Sequence, residues 1–252
     1  MEFIQQLVNG ISLGSIYALI ALGYTMVYGI VKLINFAHGD VFMVGAFIGF
    51  YAITVMDLSL FPALLLAMVA CAIFGVLIER IAYKPLRNAT RIAALITAIG
   101  VSLLIENGMI RIRGAQPEAY PKDVIPRDSV DIFGVTIQSQ SLMILGVSIV
   151  LMIILQFVVH KSSIGRAMRA VSFDADAAKL MGINNNFIIS LTFIIGSALA
   201  AIGVVIYLLK VKFFTFALGS TTIGLYPFVA AVIGGIGSLP GSVIGGFLIG
   251  LI

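Results

Sequence analysis

The run LFPALLLAMVACAIFGVLI, Leu60 to Ile78, carries no charged residue, and its reading decides the fold class. About 20 mostly apolar residues in a helix match the hydrocarbon thickness of a bilayer. Outward from this run the chain repeats the pattern: Ile4 to Val31, Val41 to Met56, Ile92 to about Ile110, Leu142 to Val159, Phe187 to Leu209, and a Gly-rich apolar region from Thr221 to Ile252. Of the 252 residues, 61% are hydrophobic and 10% charged, against about 25% charged in a soluble domain. The expectation is an all-α, polytopic transmembrane helical bundle of about eight spans with irregular Gly-rich breaks. It is expected to form one domain over residues 1–252, cut short at Ile252 inside an apolar run.

Composition also excludes chemistry. One cysteine, Cys71, forbids an intrachain disulfide, and His38 and His160 are too few for a metal-ligand cluster. Neither histidine lies in a triad or zinc motif, so no catalytic residue is expected. The net charge of +4 comes from basic residues in loops flanking apolar spans, where membrane orientation explains them more simply than an anionic partner does. No Gly-x-x-x-x-Gly-Lys-Ser/Thr is present, so the chain has no phosphate cradle of its own.

Pro85 is expected to end the third helix before a basic loop, Glu79 to Arg91. That loop carries Arg80, Lys84, Arg87 and Arg91; the loop 160–187 carries Lys161, Arg166, Arg169 and Lys179, two spans later. Both are assigned to the cytoplasmic side, which places the N-terminus outside. The polar stretch from Gly114 to Ser141, beside Arg111 and Arg113 and holding Lys122 and Arg127, falls outside, as do Lys210 and Lys212, and these weaken the asymmetry.

Within loop 160–187, Ser172 to Gly182 reads Ser-Phe-Asp-Ala-Asp-Ala-Ala-Lys-Leu-Met-Gly. Ser172 is expected to cap a short helix, with Asp174 and Asp176 in its first turn and Gly182 at C′. Phe173, Ala177, Leu180 and Met181 then share one apolar face, and Ala177 with Ala178 keeps the helix slim. Such a face suits docking; the plainer reading is an interfacial helix lying on the bilayer.

Polar residues inside apolar sequence are candidates for a solute path. Asn35, His38 and Asp40 cluster between the first two spans, where irregular backbone needs protein or a water-filled cavity around it. The plainer reading has Asp40 capping a helix that starts at Val41. Glu106, beside Asn107, places an ionisable group in a span. Ser12, Ser15 and Thr25, with Tyr17 and Tyr24, are expected to line a path on the first span; interhelical packing is the alternative. The break from Gly234 to Ser242 is either a site-forming interruption or a tight turn between helices.

Several of these segments resemble one family, the permeases of branched-chain amino-acid ATP-binding-cassette importers. Asp176-Ala177-Ala178, three residues, then Gly182 stands where that family has Glu-Ala-Ala, three residues, then Gly. Gly23 to Gly29, Ile34 to Asp40, Ile78 to Arg87 and Gly234 to Ser242 are similar to the family as well. The resemblance covers nearly the whole chain and implies a type-II-like importer permease that works by alternating access in a bacterial or archaeal cytoplasmic membrane. It also implies a homologous partner permease, two ATP-binding subunits that hold ATP and Mg, and an extracytoplasmic solute-binding protein. This chain itself is then expected to bind no cofactor. Asp174, Asp176, Ala177, Ala178 and Gly182 become the residues expected to couple to the ATPase. Related permeases move urea or short amides, and an ATP-independent channel or ion-coupled transporter is the alternative of another class.

Overall fold

The computed structural model describes residues 2–87, 89–120, 129–132, 135–211, 213–219 and 222–252. Lys122, Arg127, Lys212 and Thr221, used in the topology reading, lie outside the described residues. The chain is mostly helical: α1 (Glu2–Val31), α2 (His38–Thr54), α3 (Leu60–Ile78), α4 (Arg91–Arg113), α5 (Ser139–Lys161), α6 (Ser163–Phe173), α7 (Ala175–Leu180), α8 (Asn185–Lys210), α9 (Thr222–Ile233) and α10 (Leu239–Leu251). The all-α expectation needs one correction. Two small antiparallel pairs, β1 (Glu118–Ala119) with β4 (Phe213–Phe214) and β2 (Ser129–Ile132) with β3 (Val135–Gln138), satisfy backbone groups in the connections.

Among the described residues five helices are long and apolar enough to cross a membrane, and α2, α9 and α10 are shorter apolar helices. α1 is the axis of the bundle, with its core-spanning stretch enclosed by α5, α8, α9 and α10. Its pairing with α10 is antiparallel and made by small residues: Gly10 faces Gly250 and Leu251, and Gly14 faces Gly246 and Phe247. A Cβ on Gly246 would lie 2.4 Å from Ala18 Cα, so the backbones touch, the close approach that favours association in lipid. α3, α4 and α5 are peripheral and expose Val69, Ile73, Ile96, Leu104, Ile153 and Phe157. An apolar surface of this extent is stable only against lipid or another apolar protein.

Beyond Ile78 the structure corrects the loop reading. Pro85 has no N–H to continue the ladder, yet the chain stays helical as a π turn over Glu79–Tyr83 and a 3-10 turn over Lys84–Leu86, with the Lys84 N–H on the Glu79 carbonyl. Glu79 is consequently buried rather than in a solvated loop.

Two helices begin inside the bundle. After α1 stops at Lys32, which takes φ +59°, residues 32–37 turn back and α2 starts at His38, beside Gly23 and Tyr24 of α1. That position is roughly two turns in from the end of α1. From the other end, residues 213–219 run in extended and 3-10 conformation to Gly219. A Cβ on Gly39 would lie 2.4 Å from the Gly219 carbonyl oxygen, so the first turn of α2 and the entry to α9 touch. The Gly234 to Ser242 break is the tight turn between α9 and α10. Gly235 and Gly237 take φ +88° and +99° there, and Ser238 caps α10 through the Gly241 N–H.

Candidate functional site

Two regions carry polar chemistry, and hydrogen bonds extend inward from the first toward the second. The first is the loop 160–187, which folds as two short helices rather than one. Ser162 caps α6 by accepting from the Gly165 N–H at 2.9 Å, and Gly165 must be glycine because a Cβ there would meet the Val159 carbonyl at 2.1 Å. Gly165, Met168 and Val171 form the buried stripe that seats α6 on the bundle.

The cap of α7 is Asp174, not Ser172: its Oδ1 accepts from the Asp176 and Ala177 N–H groups at 3.0 and 2.9 Å. The Ser172 hydroxyl instead donates back to the Arg169 carbonyl inside α6. At the other end Gly182 sits at C′ with φ +83°. Its N–H reaches the Lys179 carbonyl and the Ile183 N–H reaches the Ala178 carbonyl, the paired bonds of a Schellman motif. α7 is thus clamped at both ends. Ala178 is buried against the bundle, while Ala177 and Asp176 face outward. Phe173, which belongs to the end of α6 rather than to α7, joins Leu180 and Met181 in an exposed ledge at 95%, 88% and 83% exposure. Beside it lies a cleft of about 670 Å³ lined by Lys32, Arg87, Asp176, Lys179 and Asn184. Residues from both basic loops and from the end of α1 line that cleft, so they share one end of the molecule.

Inward from this ledge, Arg87 donates to Asn186 Oδ1 at 2.5 Å and pairs with Glu79. Ser190 of α8 donates to the other Glu79 oxygen at 2.8 Å. On the same π turn the Tyr83 hydroxyl donates to Asn35 Oδ1 at 3.0 Å. The π turn therefore ties α8 just after the ledge, through Glu79 and Arg87, to the irregular segment that leads into α2, through Tyr83. The sequence offered no period for it: Glu79 and Arg87 read as loop charges because the burial of Glu79 and its partners depend on α8.

The second region is the junction of α2 and α9. His38 and Asp40 lie in the first turn of α2, which begins three residues before Val41, so Asp40 does not cap that helix. Both residues are 1% exposed; neither Asp40 oxygen nor His38 Nε2 has a hydrogen-bond partner. Ser102 of α4 presents a hydroxyl donor toward Asp40, and the Glu106 carboxyl of the same helix is near enough to act on it electrostatically. A cavity of about 250 Å³ opens here between α1, α4 and α9.

Ser12, Ser15 and Thr25 are buried inside the chain. The Ser15 hydroxyl donates to the Ser12 carbonyl at 2.8 Å and Thr25 pairs with Ser242 of α10. Within this chain the stretch of α1 that carries them is enclosed by α5, α8, α9 and α10. Gly10 to Gly14 spells Gly-x-Ser-x-Gly, the letters of a nucleophile elbow, but it lies within continuous α1 and lacks the strand-to-helix turn that exposes such a serine. Among the described residues no group of His, Cys, Asp and Glu is placed to hold a metal.

The model of the family described as branched-chain amino acid transport system / permease component matches residues 6–252. The chain belongs to this family. It is a permease subunit of a transport system, not an enzyme. The permease is 43% identical over 99% of its length to the high-affinity branched-chain amino acid transport system permease protein BraD of Pseudomonas aeruginosa, covering 85% of that protein. It is 40% identical, with the same share of the relative covered, to the corresponding LivH of Escherichia coli. The probable LivH permease of the archaeon Methanocaldococcus jannaschii is 27% identical over 94% of the chain. No solved structure matches the chain.

Proposed function

We propose that this permease carries branched-chain amino acids inward across the cytoplasmic membrane, with a homologous permease beside it and ATP hydrolysis supplied by two separate subunits. The substrate class follows from the names of the relatives. The observation that carries the coupling is the exposed ledge of Phe173, Leu180 and Met181 on a helix clamped at both ends. A rigid apolar knob flanked by Asp176 and Lys179 can transmit a partner's displacement, whereas a solitary channel has no use for one. The path from Asn186 through Arg87, Glu79, Tyr83 and Asn35 gives that displacement a mechanical route to α2. α1 to α5 and α8 to α10 then make eight crossings, with the basic loops inside, and α2 and α9 cross as half-helices completed by irregular segments. An extracytoplasmic binding protein delivers solute to the opposite face.

Co-expression with candidate ATPase subunits and the partner permease, followed by reconstitution, tests this reading. ATP-dependent uptake of leucine, isoleucine and valine by a complex holding two ATPase subunits is expected. Uptake of urea in their place would reassign the substrate, and uptake without ATP would overturn the class.

A further inference from the structure

We propose that the cavity between α1, α4 and α9 is a resting station for the transported amino acid, at which the Glu106 carboxylate, backed by that of Asp40, holds its ammonium group. This deepens the importer reading and rests on it. The cavity, about 250 Å³, is lined by Tyr24, Phe36, Leu103, Leu225 and Phe228, with Ser102 and Glu106 as its polar wall. Backbone at Gly219 and Gly224 completes it. Asp40 stands directly behind: a Cβ on Gly219 would lie 2.7 Å from Asp40 Oδ1. Neither Asp40 oxygen nor Glu106 Oε1 has a hydrogen-bond partner. The salt bridges among the described residues, Glu79 with Arg87 and Arg113 with Glu118, lie elsewhere.

One carboxyl group on the wall of a small chamber, Glu106, and a second directly behind it, Asp40, with unfilled acceptor capacity and no cationic side chain bonded to them, form a receptor for a cationic group with several N–H donors. The rest of the wall is aromatic and aliphatic, which suits a hydrocarbon side chain on the same ligand. The first turn of α9 borders the chamber with the positive end of its dipole, which favours the ligand's carboxylate. An aliphatic amino acid has these three groups on one carbon; urea has neither charge. α4 packs against the rest of the chain more loosely than α1 or α8 does, so the wall that carries Glu106 is the one free to move aside.

The test uses the complete transporter in proteoliposomes, with saturating leucine-loaded binding protein. Glu106→Gln and Asp40→Asn are each expected to lower leucine uptake about tenfold or more, the worth of a charged hydrogen bond. Assembly and binding-protein-stimulated ATP hydrolysis are expected to persist. Glu106→Asp should recover part of the uptake, and leucine should raise the melting temperature of detergent-solubilised wild-type permease complex but not of Glu106→Gln. If Asp40→Asn does not assemble, Glu106→Gln decides, because that side chain lies on the open wall. Wild-type uptake in Glu106→Gln would overturn the inference while leaving the importer reading intact. A wild-type complex that assembles but moves no leucine would overturn that reading instead. Uptake that requires a sodium or proton gradient would assign the acids to an ion and overturn the proposal.

Discussion

Gly182 is where one residue's backbone bears most directly on the proposed coupling. At φ +83° with open space around its Cβ position, the constraint on it is conformational rather than steric. A β-branched side chain there is strained by about 1–3 kcal/mol, whereas Asn tolerates the left-handed region. Gly182→Val is expected to uncouple ATP hydrolysis from uptake and Gly182→Asn to retain most coupling, measured as leucine moved per ATP in proteoliposomes; equal ratios in both would remove the docking role from this turn. Arg87 is the second such residue. Its removal leaves Glu79, 1% exposed, without its counter-charge, a loss of about 3–5 kcal/mol for a buried pair. Arg87→Ala should therefore lower the melting temperature in detergent, and Arg87→Ala with Glu79→Gln should regain part of it. The role of Gly182 was legible because a helix C′ is set by local backbone chemistry. The cap was not: Ser172 and Asp174 are both capping residues two positions apart, and the choice fell to Asp174 because the buried stripe of α6 carries that helix through Phe173.

At the scale of elements, α7 and the α1–α10 pair make separable claims. Leu180→Asp on the exposed ledge removes an apolar contact without touching the bundle, so co-purification of the ATPase subunits should fall while the permease keeps its yield and helical circular dichroism. Unchanged co-purification would return this helix to the bilayer surface. For the α1–α10 pair, Gly246→Val would drive a side chain into the Ala18 backbone. Overpacking of this kind costs about 1–3 kcal/mol, expected as a drop of several degrees in melting temperature. The glycines along α1 signalled close packing in the sequence, yet nothing local named α10 as the partner. Where helices start was less legible still: α2 begins at His38 because Gly39 meets Gly219, 180 residues away in the chain.

For the whole molecule, the shared cleft at the basic end and the opposite end formed by Asn9, Gln138 and Lys210 define two faces. In a Cys71→Ala background, single cysteines at Arg169 and Lys84 should react with impermeant maleimide only from the cytoplasm, and one at Glu118 only from outside; labelling of Glu118 from the cytoplasm would overturn the count of eight crossings. The sequence by itself determined the class: long uncharged apolar runs can exist only as helices in a bilayer, since each backbone group must be satisfied within its own segment. It also determined the alternation of runs with basic loops and the glycine that ends α7, all local properties. Only the tertiary structure decided which helix stands at the centre, that Arg87 pairs with a buried Glu79, and that Asp40 stands behind the chamber whose wall carries Glu106. Those are pairings across 8, 66 and more than 200 residues of chain, fixed by which backbones can approach closely, and no local period of hydrophobicity encodes them.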